Sequence, residues 1–392
     1  MIQEITIRGF KSLADVTVKL EPVTVLIGKS GTGKSNFMDA IQFLRQLLFL
    51  RNNQVFQGNF GDWRTVYSAT RPFPKFLSFR VTFGIDGLDE RFVYQLTLRQ
   101  HEQHADLQFP PSLIEEKLLF GSKTLFHHEN NKWIVQPNVI SLPQPQGILL
   151  GAITGFQESS LAFSALTYGI GCYRFPDSVL QQSGAHQVHQ PDNLKQGFHD
   201  NGANHVAVFA DLYRDVRHWK SLKQLDAGMR TMKPTLVGIT VDQPQSTVIS
   251  TAHEISNFPR LTFDIAQESE GSRRLFACLL ALYQQPSKQT LLFDEPEKGI
   301  YPAGLGLLAQ EFNACAASGR GQVILTTHSP DFLDHFLPEQ IRVVEMAKFE
   351  TRIGPVEEGQ VEAIKEQFLS AGELLTVDLA RINESTAAET AQ

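Results

Sequence analysis

The sequence predicts an α/β fold with a mainly parallel core sheet, an antiparallel β subdomain and an inserted helical lobe. Three observations carry that prediction. A continuous apolar run at 23–27 suits a strand buried on both faces, and 290–293 and 322–327 look like buried parallel strands. The first run lies near the start of the chain and the other two near its end, with helix-like stretches beside them. The region from about 52 to 255 between them has a different texture, with short β-like runs set among turns rich in Pro and Gly.

Taken in order, the chain opens as a β-hairpin: Ile2, Ile5 and Ile7, a bend at Gly9-Phe10-Lys11, then Val16, Val18 and Leu20. Val23-Thr24-Val25-Leu26-Ile27 follows as a buried strand, then a glycine-rich loop, then a helix over about 34–50. In the middle, 79–83 and 92–96 read as strands, Pro110-Pro111 and Pro143-Gln144-Pro145 as breaks, 181–199 as a polar loop and 207–225 as a helix. There are no sustained heptads and no internal repeat, which excludes a long coiled coil. A helix is predicted at 271–284, ahead of the two C-terminal strands, and the last dozen residues are predicted to be disordered. The segments expected are 1–50 and 256–350 as the two parts of the core, 51–255 as the inserted β and helical lobe, and 351–392 as an acidic C-terminal segment.

Composition sets bounds. The 392 residues allow a sizeable core, with 42% hydrophobic and 20% charged residues. No run of 18 apolar residues exists and no leader is visible, so a cytoplasmic protein without a membrane partner is expected. Three scattered cysteines, Cys172, Cys278 and Cys315, fit a reducing compartment. A net charge of −7 excludes a generally basic nucleic-acid binder, though not a local basic patch. From Ile341 onward ten acids face five bases, so much of the acidity sits at the C-terminus.

Four motifs carry chemistry. Gly28-Lys29-Ser30-Gly31-Thr32-Gly33-Lys34-Ser35 matches G-x-x-x-x-G-K-[ST] at every fixed position. Glycines let the backbone curl so that several N–H groups face one point, and the following helix adds its positive end. Lys34 is expected on the β and γ phosphates and Ser35 on Mg2+. Leu291-Leu292-Phe293-Asp294-Glu295-Pro296-Glu297 delivers two adjacent carboxylates at a strand C-terminus, where open parallel sheets bind ligands. Asp294 is expected to hold Mg2+ and Glu295 to act as general base. Gln322 to Pro330 is a third strand, ending in His328, whose imidazole can reach the γ-phosphate or the attacking water. Ser269-Glu270-Gly271-Ser272 opens an apolar helix. It reads either as an N-cap or as a helix end aimed at a nucleotide held by another subunit.

The order of these motifs resembles the ABC-type ATPases of the RecF, SMC and OLD group, and in particular their small stand-alone RecF-type members within the AAA family ATPases. Ile7-Arg8-Gly9-Phe10-Lys11-Ser12-Leu13 looks like that family's I-x-N-F-K-S-L entry, and Gly33-Lys34-Ser35-Asn36 with Phe37 to Ile41 like its G-K-S-N run. His199-Asp200-Asn201-Gly202-Ala203-Asn204 is similar to its D-G-x-N element, Ser269 to Ser272 to its signature, Asp294 to Glu297 to its Walker B, and Thr327-His328-Ser329-Pro330 to its switch histidine. The resemblance covers about residues 1–345 and implies a P-loop NTPase head of ABC type. It implies Mg-ATP contacted by Gly28 to Asn36 in one subunit and by Ser269 and Gly271 of a second copy, in a head-to-head dimer. Three departures stand out. Tyr301 takes the place of the usual His, Glu268 that of the usual Leu before the signature serine, and only Gln54 and Gln57 offer themselves as the Q-loop glutamine. The chain resembles the ATPase half of OLD proteins, without a Toprim nuclease domain.

Two roles for such an ATPase follow from the resemblance: a DNA-repair-like clamp on duplex DNA, or a regulatory subunit scaffolding a separate effector, such as a nuclease in phage defence. A transporter motor fits the N-terminal hairpin and the insertion poorly. Weaker features have plain readings. His101, His104, His127 and His128 lack the frame of a metal site. Arg8 and Lys11 are either a nucleotide- or DNA-facing spot or a solvated hairpin. Arg214 with Arg217 and Arg273 with Arg274 could line a phosphate path, but solvated faces are expected.

Overall fold

The structure, a computed structural model, describes residues 1–50, 60, 65–71, 75–100, 112–129, 132–135, 148, 150, 157–182, 197–242, 248–256 and 258–383. The chain forms two compact units. One comprises Met1–Ile170, Ile341–Lys365 and Ala380–Gln392, the other Gly171–Gln340 and Glu366–Leu379. Gln54, Gln57, His101, His104, the breaks at 110–111 and 143–145, residues 183–196 of the polar loop and the tail at 384–392 lie outside the described residues.

In the first unit, β1 (Ile2–Phe10) and β2 (Leu13–Lys19) form the expected hairpin, in register from Glu4↔Lys19 to Phe10↔Leu13. Gly9 turns it at φ +77, and no larger residue fits, since a Cβ there lies 1.9 Å from the Phe76 carbonyl. β4 (Phe76–Phe83) pairs with the other edge of β1. With β5 (Phe92–Arg99), β6 (Ser112–Phe120), β7 (Lys123–Glu129) and β8 (Lys132–Val135), this makes a seven-stranded sheet in the order β2-β1-β4-β5-β6-β7-β8. All its pairs are antiparallel. Alternating burial along β4 and β5 leaves one apolar face. Helix α1 (Lys34–Leu50) packs there through Phe43, whose ring lies 5.5 Å from Phe10 and 6.2 Å from Phe79. Helix α2 (Gln157–Leu166) completes the described helical part of the insertion in this unit.

The same unit holds β3 (Val23–Ile27), buried at all five residues. It pairs in parallel with β15 (Ile341–Ala347), which turns back antiparallel as β16 (Glu350–Pro355). Thus part of the segment expected as an acidic tail supplies a strand beside β15, followed by α9 (Glu358–Lys365).

The second unit has its own strands. β13 (Thr290–Asp294) lies between β9 (Ile170–Tyr173) and β14 (Gln322–Thr326), and β13 and β14 are parallel, with Asp294 opposite Thr326. α7 (Pro302–Ala317) connects them and buries Phe312, 4.9 Å from Phe293. α6 (Glu270–Tyr283) is buried at every residue but Glu270, and apolar from Leu275 onward. A three-stranded antiparallel sheet, β10 (Leu236–Asp242), β11 (Val248–His253) and β12 (Leu261–Asp264), stands beside it in sequence. The short helices α3 (Asp177–Leu180) and α8 (Pro330–Leu333) lie in the same unit.

One expected helix is corrected. The stretch predicted as a single helix over 207–225 is two helices, α4 (His205–Arg214) and α5 (Trp219–Met232). Asp215 breaks it, because its carboxylate accepts the Arg217 N–H at 2.9 Å and starts a 3₁₀ turn at Val216–His218. No described helix is long and apolar enough to cross a membrane, and the three cysteines are buried free thiols.

The contact of α1 with the antiparallel sheet gives a direct test. Phe43→Ala removes a fully buried ring that touches Phe10, Phe60 and Phe79. It should cost ~3–5 kcal/mol in urea denaturation, and a loss below ~1 kcal/mol would show that α1 does not depend on this packing.

Candidate functional site

The first group of predicted residues is built where β3 ends. Gly28, Gly31 and Gly33 all take positive φ, at 148°, 79° and 106°. Two of the three also have no room for a side chain: a Cβ on Gly28 lies 2.1 Å from the Val344 carbonyl, and one on Gly33 lies 2.0 Å from Thr351 Oγ1. Gly31 faces open space. Thr32 Oγ1 donates to the Lys29 carbonyl at 2.9 Å and tightens the curl. Lys34, 6% exposed, folds back so that Nζ donates to the carbonyls of Gly28 at 2.7 Å and Lys29 at 3.0 Å. Lys29 and Ser30 are exposed at the crest. Ser35 is exposed in the first turn of α1, and its hydroxyl makes no hydrogen bond among the described residues. Asn36 is used differently, since Nδ2 donates to Ser12 Oγ at 2.7 Å and braces the loop from behind.

The N–H groups of Gly33, Ser35 and Asn36 donate to no acceptor among the described residues. A curled loop presenting such donors at a helix N-terminus, with a lysine laid across it, suits a chain of phosphates. A free hydroxyl at Ser35 suits the hard cation that accompanies them. The residues present therefore fit Mg-ATP on the side of the glycine loop.

The second group lies at the ends of β13 and β14. Thr326 Oγ1 donates to Asp294 Oδ1 at 2.7 Å and accepts the Glu295 N–H at 3.0 Å. One threonine thus orients both acids. Glu295 sits at φ +48, a left-handed conformation that a glutamate adopts only when its surroundings impose it. Its Oε1 lies 3.7 Å from His328 Nε2, and both side chains are 41% exposed. The structure therefore brings the predicted base and the predicted switch histidine together. Asp294 Oδ2 is held by Arg174, which follows β9, through Nε at 2.7 Å and Nη2 at 2.6 Å. A carboxylate with one oxygen on a neutral hydroxyl and the other on an exposed guanidinium is a position where a divalent cation can replace the arginine's charge.

Behind these acids lies Glu297. Its Oε1 accepts the Thr327 hydroxyl at 2.6 Å and the His328 N–H at 3.2 Å, while Oε2 is buried and has no partner among the described residues. Burial drives its pKa above the ordinary value of 4.5, against the hydrogen bonds it accepts. This carboxyl ties the exit of β14 to the turn after β13 and so fixes the backbone that carries His328.

Ser269 is the N-cap of α6; its Oγ accepts the Ser272 N–H at 3.4 Å and lies 2.8 Å from Ser272 Oγ. Gly271 is required by packing, because a Cβ there lies 2.4 Å from the Gly299 carbonyl. Glu268, the departure before the signature serine, is buried. It accepts from His253 Nε2 at 2.7 Å, from Thr251 Oγ1 at 2.6 Å and from Lys233 Nζ. Burial raises the pKa of this carboxyl, but these donors pull it below the ordinary value. The mid-chain Asp-Gly-x-Asn element is a turn: Asn204 Oδ1 accepts the His199 N–H at 2.8 Å, Asn204 Nδ2 donates to the Gly197 carbonyl at 3.0 Å, and Gly202 sits at φ +78.

Thr326, Thr351, Ser12, Arg174 and Glu297 were not singled out in sequence, although Ser12, Thr326 and Glu297 lie inside motifs quoted for other residues. Arg273 and Arg274 correct the expectation of a solvated face, since each is 6% exposed. Arg273 reaches both oxygens of Asp177 at 2.7 and 2.9 Å and the Ala266 carbonyl at 3.2 Å, and Arg274 pairs with Glu270 at 3.7 Å. Arg8 pairs with Asp15 at 2.9 Å and Lys11 with Asp39 at 2.6 Å, so both cations of the hairpin have local acids. His127 lies 3.5 Å from Glu115, and the His128 ring packs against Trp133 at 4.3 Å.

Residues 181–334 match a family described as AAA domain, putative AbiEii toxin, Type IV TA system, and residues 1–86 match one described as AAA ATPase domain. The Old nuclease of Escherichia phage P2 is 22% identical over 361 residues, covering 85% of this chain. The chain spans only 57% of that relative's length. Among solved structures, an SmcHead bound to the C-winged helix domain of ScpA superposes with a TM-score of 0.58 at 14% identity, covering 92% of this chain and 99% of that one. An Smc head with an extended coiled coil, bound to the C-terminal domain of ScpA derived from Pyrococcus furiosus, gives 0.55 at 13% identity, covering 94% and 99%. At such identities the structures speak for the fold. The two ATPase-domain matches, the phage relative and the SMC-head fold together make the chain similar to the ABC-type ATPases of the RecF, SMC and OLD group.

Proposed function

We propose that the chain binds Mg-ATP on the glycine loop and hydrolyses it as a dimer that ATP closes and hydrolysis opens. The observation that supports this best is the set of loop N–H donors at Gly33, Ser35 and Asn36, beneath Lys34, that have no acceptor among the described residues. In this reading Gly28 to Gly33 and Lys34 hold the phosphates, and Ser35 and Asp294 hold Mg2+, which supplies charge neutralisation at the phosphate oxygens. Glu295 takes a proton from the attacking water. His328, 3.7 Å from that carboxylate, donates to a phosphate oxygen or orients the water. Ser269 and Gly271 serve the nucleotide of a second copy through the N-terminus of α6, a 14-residue helix whose dipole favours negative charge. The role in that dimer extends the reading of Ser269 as a cap, since the cap fixes the helix end it would present.

The switch works on a protein partner. The relative is a nuclease of which this chain spans 57%, and the Smc-head structures named above carry bound ScpA domains. The net charge of −7 also opposes a broad contact with DNA. A separate effector, such as a nuclease acting in phage defence, is therefore favoured over a clamp on duplex DNA in repair. Filter binding of duplex DNA, with and without ATP at two salt concentrations, decides between them. No ATP-dependent retention is expected; strong retention at low salt that falls with added salt would favour the clamp.

Two substitutions separate binding from chemistry. Lys34→Ala should abolish nucleotide binding in calorimetry. Glu295→Gln should keep binding, lower turnover by at least about a hundredfold and accumulate dimer in ATP on size exclusion. Unchanged affinity in the first, or unchanged turnover in the second, removes the assigned role.

Glu297 adds a pH dependence. Its folded pKa lies above its unfolded value, so the native state holds the extra proton. Its contribution to stability is full below the unfolded value and is lost as pH rises through the folded one. Glu297→Gln keeps an acceptor for Thr327 and His328 and has no proton to lose. The melting temperature of the variant minus that of the wild type should therefore grow between about pH 4.5 and pH 8. A difference that stays constant over that range contradicts a protonated Glu297.

A further inference from the structure

The glycine loop is held by a line of hydroxyls that its own motif does not contain. Asn36 Nδ2 donates to Ser12 Oγ at 2.7 Å, Ser12 Oγ lies 2.7 Å from Thr351 Oγ1, and Thr351 Oγ1 donates to the Thr32 carbonyl at 2.8 Å. A hydroxyl has one proton to give. Thr351 gives its proton to Thr32, so it accepts from Ser12, and Ser12 in turn accepts from Asn36. The direction of the whole line follows. The Asn36 amide is fixed by the same count. With its oxygen turned to Ser12, the Ser12 proton would be drawn away, and Ser12 and Thr351 would face each other lone pair to lone pair. The Thr351 N–H also donates to the Ser12 carbonyl at 2.8 Å, so strand β16 and the β1–β2 turn are joined by backbone as well.

The line ends on the peptide that matters most for an anion. In a planar trans peptide the N–H points opposite to the C=O. Drawing the Thr32 carbonyl toward Thr351 therefore turns the Gly33 N–H to the other side of the loop, where it meets no acceptor among the described residues. Gly33 makes the arrangement possible, because any Cβ there would occupy the space of Thr351 Oγ1 and come within 3.0 Å of Ser12 Oγ. Thr351 itself is 2% exposed and stands 319 residues from Thr32 in sequence.

We propose that Thr351 and Ser12 are positioning residues for triphosphate binding. They set the Thr32–Gly33 peptide in its anion-accepting orientation before nucleotide arrives, so that binding does not have to turn it. The proposal rests on the Mg-ATP reading of the loop. It concerns binding rather than chemistry, because a preset N–H serves ground state and transition state alike.

The test uses the full chain and Mg-ATP. Thr351→Val preserves the branched shape and removes the hydroxyl; Thr351→Ser keeps the hydroxyl. Thr351→Val should weaken Mg-ATP about tenfold or more in calorimetry and raise KM with kcat nearly unchanged. Thr351→Ser should return affinity to within about threefold of wild type. Ser12→Ala should weaken binding too, and the double variant Ser12→Ala/Thr351→Val should fall well short of the product of the two effects, as members of one line do. Ser12→Ala carries the test by itself if Thr351→Val fails to fold. Wild-type affinity in Thr351→Val or Ser12→Ala overturns the relay and leaves the ATP reading standing. Equal loss in Thr351→Ser and Thr351→Val also overturns it, by showing that packing rather than the hydroxyl matters. A wild-type chain that binds no Mg-ATP overturns the ATP reading and the relay with it.

Discussion

Backbone N–H groups that converge on one point repel each other, and a chain keeps them so only where its other groups leave no choice. The glycine loop meets that constraint from several sides at once. β3 is buried at every residue and fixes where the loop begins. The Val344 carbonyl closes on Gly28 and the Thr351 hydroxyl on Gly33, so the backbone passes through gaps that only glycine can enter. Lys34 bonds the carbonyls of Gly28 and Lys29, which are the other ends of the curl. The carbonyls of Gly28, Lys29, Thr32 and Gly33 are claimed, and the N–H donors of Gly33, Ser35 and Asn36 remain without acceptors among the described residues. The convergence of N–H donors in the loop is thus a consequence of where its carbonyls go.

The acids of the second unit obey a related logic. A parallel pair of strands brings Asp294 opposite Thr326, and a single hydroxyl then serves the carboxylate of Asp294 and the N–H of Glu295. That bond holds the backbone at the point where Glu295 enters the left-handed region. The strain, of order 1–3 kcal/mol by analogy with other such residues, is tolerable because the surrounding strand ends are buried and bonded. Glu297 performs the matching service for His328 from below. The two groups assigned to the attacking water are therefore placed by backbone constraints, while both side chains stay 41% exposed.

Much of this was legible in sequence where the signal is local. Apolar runs marked β3, β13 and β14, and the glycine loop with its helix appears at 34–50 as expected. The adjacent carboxylates and the histidine at strand ends were legible for the same reason, since a buried strand has few ways to end. Thr351 was not legible, because its partner is 319 residues away and a threonine in an alternating strand carries no local mark. Arg174 escaped likewise, being one arginine after a short strand until the fold lays it on Asp294. The break at Asp215 was missed because an acid competing for a backbone N–H looks, in sequence, like any helical surface residue. Arg273 and Arg274 were misplaced for a physical reason. Charge argues for exposure, and only the structure shows the two buried cations compensated by Asp177 and by the exposed Glu270.

Glu268 shows how a departure from a family pattern can be absorbed. An acid where leucine is usual has to be desolvated, and an unpaired buried carboxylate would neutralise itself or unfold its surroundings. Here three donors meet it, from Lys233, Thr251 and His253, and their combined pull outweighs the cost of burial, so the carboxyl is held below its ordinary pKa. Meanwhile the backbone carbonyl of the same residue accepts from Arg273, in the first turn of α6. The residue before the cap is therefore tied by its side chain to β11 and to the residue after α5, and by its main chain to the helix it precedes. Leucine can fix that position by packing alone. Glutamate fixes it by charge, and it can do so only because Lys233, Thr251 and His253 stand where a leucine would need apolar neighbours. The departure is thus one member of a compensated set, and its effect falls on Ser269, whose geometry as the helix cap depends on the residue immediately before it.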